Sequence, residues 1–242
     1  MTVSPETLQQ RLLWARRGTA YFARKLSELP DAELDGPTQL AGWTRKHLVA
    51  HVGYNARAIA RLVEWATTGA ENPMYASPQA RSEEIEYGAT LTPTALRNLS
   101  EHAAIHLDVL WRDLPEDRWS AEVKTAQGQL VPAAETPWMR AREVWLHAVD
   151  LDNGGSYIDF PPDLVDALLA DVTGLWERKG QGPALVLRPS DRDAEYRVDV
   201  NAGEPAVVSG TAVDLVRWIT GRGAHDLKAE NAPELPELGR WL

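Results

Sequence analysis

The segment Arg142-Glu143-Val144-Trp145-Leu146-His147 sets a carboxylate and an imidazole four residues apart. On a helix, positions i and i+4 share one face, so Glu143 and His147 can close on a single ion without distorting the backbone. A carboxylate oxygen beside an imidazole suits zinc, and catalytic zinc sites keep three protein ligands and leave a further position for water or substrate. The same spacing also occurs on solvated faces as an ordinary side-chain contact. Here the neighbours Val144, Trp145, Ala148, Val149 and Leu151 are apolar, and a carboxylate buried among them is costly unless a cation or hydrogen bonds compensate it.

A third ligand has to come from the remaining histidines. His47 and His51 have helical spacing, as do His102 and His106, while His225 stands alone near the end of the chain. His51 lies on the stripe formed by Leu48, Val52, Asn55 and Ile59, which should face a bundle core. His47 sits a turn earlier beside Arg45 and Lys46, so His51 is the better inward ligand. The pair His102 and His106 reads as one half-exposed and one packed residue and is kept as a reserve. His225, in Gly223-Ala224-His225-Asp226, reads as a solvated loop residue.

Three stretches together resemble the mycothiol-dependent maleylpyruvate isomerases, within the wider DinB-like superfamily of metal-binding bundles. They are Gly42-Trp43-Thr44 leading into Leu48-Val49-Ala50-His51, then Arg140 through Leu151, and finally Trp218-Ile219-Thr220-Gly221-Arg222. The resemblance covers nearly the whole chain. It implies that His51, Glu143 and His147 hold zinc or another divalent ion and that Arg222 lies at the active site. Read from the residues alone, Arg222 is a cation just past a helix C-terminus, complementing its dipole. Asp150, a turn beyond His147, either orients an imidazole or faces solvent.

The activity implied by the resemblance is cis–trans isomerisation of maleylpyruvate to fumarylpyruvate, a step of aromatic catabolism through gentisate, with mycothiol as cofactor. A thiol bound to zinc is deprotonated. Its addition to the double bond, rotation about the resulting single bond and elimination would give the trans product. Zinc or Arg222 would stabilise the intervening enolate. The same ligand set also suits another thiol-dependent S-transferase, a zinc hydrolase, or a non-catalytic metal- or ligand-binding protein. The chain has no cysteine, so any sulfur chemistry must use a thiol brought from outside.

Positioning these residues requires long helices, and their starts are marked by a Ser or Thr before Pro: Ser4-Pro5, Ser77-Pro78, Thr92-Pro93 and Thr136-Pro137. The hydroxyl caps the helix and Pro takes its first position. The pattern predicts helices over 5–28, 43–68, 78–113 with a break at Pro93, and 137–152. These form a four-helix bundle in which metal ligands project inward from facing helices. The stretch 114–135 reads as a short hairpin or an irregular excursion. After Asp152-Asn153-Gly154-Gly155 the texture changes to a helix near 163–178, strands near 184–187, 196–200 and 206–208, and a last helix that opens at Thr211 and closes at Gly221. The expected fold class is therefore α+β, a DinB-like metal-binding helical bundle over 1–155 followed by a smaller C-terminal α/β domain over 156–242.

With 242 residues, 44% of them hydrophobic, the chain can bury a sizeable core. The net charge of −10 and the scattered basic residues argue against nucleic acid and against anionic membranes. No leader pattern or uncharged apolar run long enough for a span is present, so a cytoplasmic location is expected. The substrate implied by the resemblance is a dicarboxylate, which an acidic protein repels unless a local cationic site focuses it.

Overall fold

The computed structural model describes residues 3–200, 204–239 and 241. The chain divides into two compact units, Met1–Gly155 and Ser156–Leu242.

The first unit contains α1 (Pro5–Glu28), α2 (Arg45–Thr68), α3 (Pro78–Ala89), α4 (Pro93–Asp113) and α5 (Thr136–Asp150). Ser4, Ser77 and Thr92 accept the backbone N–H three residues on, as the Ser/Thr-Pro signal requires. The run predicted as 78–113 is two helices. Pro93 starts the second, and its lack of an N–H prevents the first from running on. Long α1, α2, α4 and α5 form the bundle, with α1 along α5 and α2 along both α4 and α5, while short α3 lies against α2. The 114–135 stretch holds a 3₁₀ turn over Glu116–Ser120 and then a short hairpin, with β1 (Glu122–Lys124) antiparallel to β2 (Leu130–Pro132).

Thr136 departs from the expected cap. It is fully buried, donates to the Ala133 carbonyl at 2.7 Å and accepts from Trp111 Nε1 at 3.0 Å. A 3₁₀ turn over Ala133–Glu135 runs straight into α5, so the hydroxyl is engaged with the preceding turn and with α4 rather than with the helix's free N–H groups.

Two arginines tie α2 to α5. Arg45 donates to the carbonyls of Leu151 at 2.7 Å and Asp152 at 2.8 Å, just past the end of α5. Arg140, only 2% exposed, crosses from α5 to the Val52 carbonyl at 2.8 Å and to Asn55 Oδ1 at 2.9 Å. On the other side of α5, Gly18 of α1 admits Trp145: a Cβ there would lie 2.5 Å from its ring. Trp145 Nε1 donates to the Trp14 carbonyl at 2.9 Å, and its ring stacks on Tyr21.

The second unit packs α6 (Pro162–Lys179) and α7 (Ala212–Ile219) with a four-stranded sheet. The sheet order is β4 (Tyr196–Val198), β3 (Leu185–Pro189), β5 (Ala206–Gly210) and β6 (Lys228–Ala229). The central β3–β5 pair is parallel and the outer pairs are antiparallel. Thr211 caps α7 by accepting from the Asp214 N–H, and the chain leaves the helix through Gly221 at a φ of +83°, a left-handed conformation suited to glycine.

Candidate metal centre

His51 stands on the second turn of α2, on the buried stripe, while Glu143 and His147 occupy one face of α5. The two arginine ties hold these helices in register, and the three side chains converge. His51 Nε2 lies 2.9 Å from Glu143 Oε2, and His147 Nε2 lies 3.2 Å from the same oxygen. One ligand atom from each falls within 4.8 Å of the others. Ligand atoms about 2.0–2.2 Å from a tetrahedral ion lie roughly 3.4 Å apart, so the two distances to Glu143 Oε2 need only a few tenths of an ångström of opening. Two imidazole nitrogens and a carboxylate oxygen are also the donor types a divalent ion such as zinc takes.

The histidines differ in what their other nitrogen meets. His147 Nδ1 is 2.8 Å from Oδ2 of Asp150, which is wholly buried. Asp150 therefore does not face solvent, and its carboxylate is placed to accept the Nδ1 hydrogen, which would leave the Nε2 lone pair for an ion. His51 Nδ1 instead faces Nη2 of Arg81 on α3 at 3.4 Å.

The electrostatics follow from burial and these contacts. Burial weighs most on Glu143 and would raise its pKa, but the charge of His51 and hydrogen bonds from both histidines outweigh it and hold the carboxyl well below its ordinary range. Burial likewise disfavours charge on His147, yet the hydrogen bonds to Asp150 and Glu143 prevail and its pKa rises. For His51 burial wins and the pKa falls, against the pull of Glu143. Without an ion, both rings set Nε2 against Glu143 Oε2, and His147 is the more readily protonated of the two.

Around this triad lie further groups, of which Tyr75, Arg61 and Arg81 carried no signal in the sequence. Tyr75, in the α2–α3 connection, has Arg61 and Arg81 each 5.9 Å from its ring centre. Burial and the nearby Glu143 charge push its pKa up to about 12, so the phenol stays protonated. Burial pulls Arg140 down to about 10, with Glu143 acting in the opposite sense. Trp43 places its ring 5.3 Å from the His51 imidazole.

The remaining histidines are elsewhere. His47 completes a capping box at the start of α2, its Nδ1 accepting the Thr44 N–H at 3.2 Å. His102 and His106 are both exposed, contrary to the expectation of one packed residue, because the buried face of α4 is carried by Leu99, Ala103 and Leu107. His225 is exposed and sits 3.0 Å from Asp214. Arg222, in the second unit, is half-buried. Its guanidinium donates to the Thr220 carbonyl, and its own carbonyl accepts from Arg217 Nε at 3.1 Å.

A four-helix bundle that brings two imidazoles and a carboxylate together from facing helices defines the class of this protein, a helical bundle with a candidate metal centre. Residues 15–152 match the family described as the mycothiol maleylpyruvate isomerase N-terminal domain, and residues 159–240 match its C-terminal domain. The chain belongs to the mycothiol maleylpyruvate isomerase family.

A crystal structure of the mycothiol-dependent maleylpyruvate isomerase is similar over 100% of both chains, at 47% identity and a TM-score of 0.93. A histidine-to-alanine mutant of that enzyme is similar at 47% identity and a TM-score of 0.92, again over 100% of both chains. YfiT from Bacillus subtilis, described as a probable metal-dependent hydrolase with an unusual four-helix bundle topology, shares the fold. The match covers 62% of this chain and 87% of that one, at 15% identity and a TM-score of 0.52. No curated protein matches the chain. Among the described residues no helix is long and apolar enough to cross a membrane.

Proposed function

We propose that this protein catalyses the mycothiol-dependent cis–trans isomerisation of maleylpyruvate to fumarylpyruvate. The observation that carries the reading is similarity along the entire length, at 47% identity, to a mycothiol-dependent maleylpyruvate isomerase. The converging triad of His51, Glu143 and His147 supports it independently.

These three residues would hold the divalent ion, zinc by the chemistry of the donor set. Such an ion lowers the pKa of a bound thiol and acts as a Lewis acid toward a carbonyl oxygen. The residues do the rest. Asp150 keeps His147 in the tautomer that offers Nε2 inward. Glu143, ionised across the neutral range, contributes the negative charge of the ligand set. Arg45 and Arg140 keep α2 and α5 at the separation the ligands need. Arg222, at the end of α7, is assigned to a substrate carboxylate, where a guanidinium fork binds both oxygens.

The test is absorbance-monitored conversion of maleylpyruvate by zinc-loaded protein, with and without mycothiol, repeated after chelation and with His51→Ala. Turnover that needs both the thiol and the metal is expected. Thiol-independent turnover, or none at one ion per chain, would overturn the assignment. Arg222→Ala should lower kcat/KM while leaving metal content unchanged.

A further inference from the structure

Arg81 is half-buried one turn into α3, where a guanidinium would ordinarily be matched by a carboxylate. None of the described carboxylates is within ion-pair reach of it. Its contacts are the His51 Nδ1 at 3.4 Å, the outer limit of a hydrogen bond, and the Tyr75 ring and hydroxyl. A cation therefore stands beside a ligand set built to receive another cation.

The hydrogen positions sharpen the mismatch. An imidazole that gives its Nε2 lone pair to an ion carries its hydrogen on Nδ1. In His51 that nitrogen faces Arg81, which has only donors. Donor then meets donor, and two positive charges lie close together in a partly desolvated site. The arrangement is relieved when an anion enters beside the guanidinium. Tyr75, a neutral phenol at the same place, adds a hydroxyl donor without adding charge.

We infer that Arg81, with the Tyr75 hydroxyl beside it, is an anion receptor at the rim of the metal centre and binds a carboxylate of the substrate. The inference rests on the dicarboxylate substrate proposed above and deepens it. A substrate with two anionic ends calls for two cationic partners. Arg81 supplies one of them on the helical bundle. The receptor takes a planar carboxylate, which the guanidinium fork matches and an ammonium does not.

Binding of maleate, a non-reacting cis-dicarboxylate, to zinc-loaded, thiol-free protein tests this by calorimetry, with zinc content and far-UV circular dichroism recorded for each variant. Arg81→Ala should weaken maleate by about tenfold or more, as expected for loss of a charged hydrogen-bonding partner. Arg81→Lys should fall between that variant and the native protein, and both should keep zinc. With maleylpyruvate and mycothiol, KM should rise more than kcat falls.

No maleate binding by the native protein, equal binding by Arg81→Ala, or loss of zinc from both variants would each overturn the inference, the last by giving Arg81 a structural role. Maleate binding requires no turnover. Absence of isomerase activity in the native protein therefore counts against the proposed reaction, and the calorimetry decides the role of Arg81 separately.

Discussion

Removing the Asp150 carboxylate should weaken metal binding without removing a ligand. Its Oδ2 lies 2.8 Å from His147 Nδ1, with Asp150 wholly buried and the His147 side chain 13% exposed, so water cannot easily replace the lost acceptor. In Asp150→Ala the imidazole is free to turn and its Nε2 becomes less basic. Loss of such an outer partner typically costs 10–100-fold in metal affinity, about 1.4–2.8 kcal/mol. Asp150→Asn keeps an acceptor but loses the charge, and since charged hydrogen bonds are about twice as strong as neutral ones, it should show about half the loss in free energy. The assay is competition for zinc against a chromophoric chelator at about pH 8, above the ordinary histidine value of about 6.5, which limits competition from protons. Affinity of Asp150→Ala within about twofold of the native value would refute the reasoning, because the expected effect starts at about tenfold.

The raised pKa of His147 sets a pH dependence. Its favourable charge stabilises the metal-free fold fully below the ordinary value of 6.5, and that contribution is lost as pH rises through the elevated folded value. Metal needs the neutral ring, so zinc affinity should climb over the same window and then level off. Calorimetry in buffers of differing ionisation enthalpy should show about one proton released per ion below the window and none above it. Gly18→Ala should destabilise the first unit by about 1–3 kcal/mol in urea unfolding, because the added methyl would overlap the Trp145 ring. A stabilised variant would show that α1 and α5 can separate freely. Arg140→Met should lower zinc affinity as well as stability, since Asn55 loses its buried partner and α2 loses a tie one turn from His51. Unchanged affinity would mean that this tie does not position the ligands.

Much of the bundle was legible because local signals agree with the final packing. Ser4, Ser77 and Thr92 cap the helices their Ser/Thr-Pro pairs announce, and His51 is inward because Leu48, Val52, Asn55 and Ile59 define the buried stripe. That Glu143 and His147 share one face of α5 was legible from their helical spacing together with their apolar neighbours. Thr136 was misread because its hydroxyl is claimed by Trp111 and Ala133, neither of which a capping rule considers. Arg81 and Tyr75 gave no signal. One lies on a short helix and the other in a connection, and their approach to His51 depends on the path of the chain between Gly69 and Ser77. No local spacing encodes that path.

The paired arginine ties bear on what an ion does here. In small zinc domains the ion assembles the fold, and its removal unfolds the chain. In this protein Arg45 and Arg140 already join the two ligand-bearing helices through four hydrogen bonds that do not involve the ligands. The ion is a guest in a finished room. Chelation should leave the helical spectrum intact, and zinc returned to the stripped protein should bind in a single step at a rate set by access and proton release rather than by refolding. Metal exchange then becomes a reversible control on activity, separate from the survival of the fold.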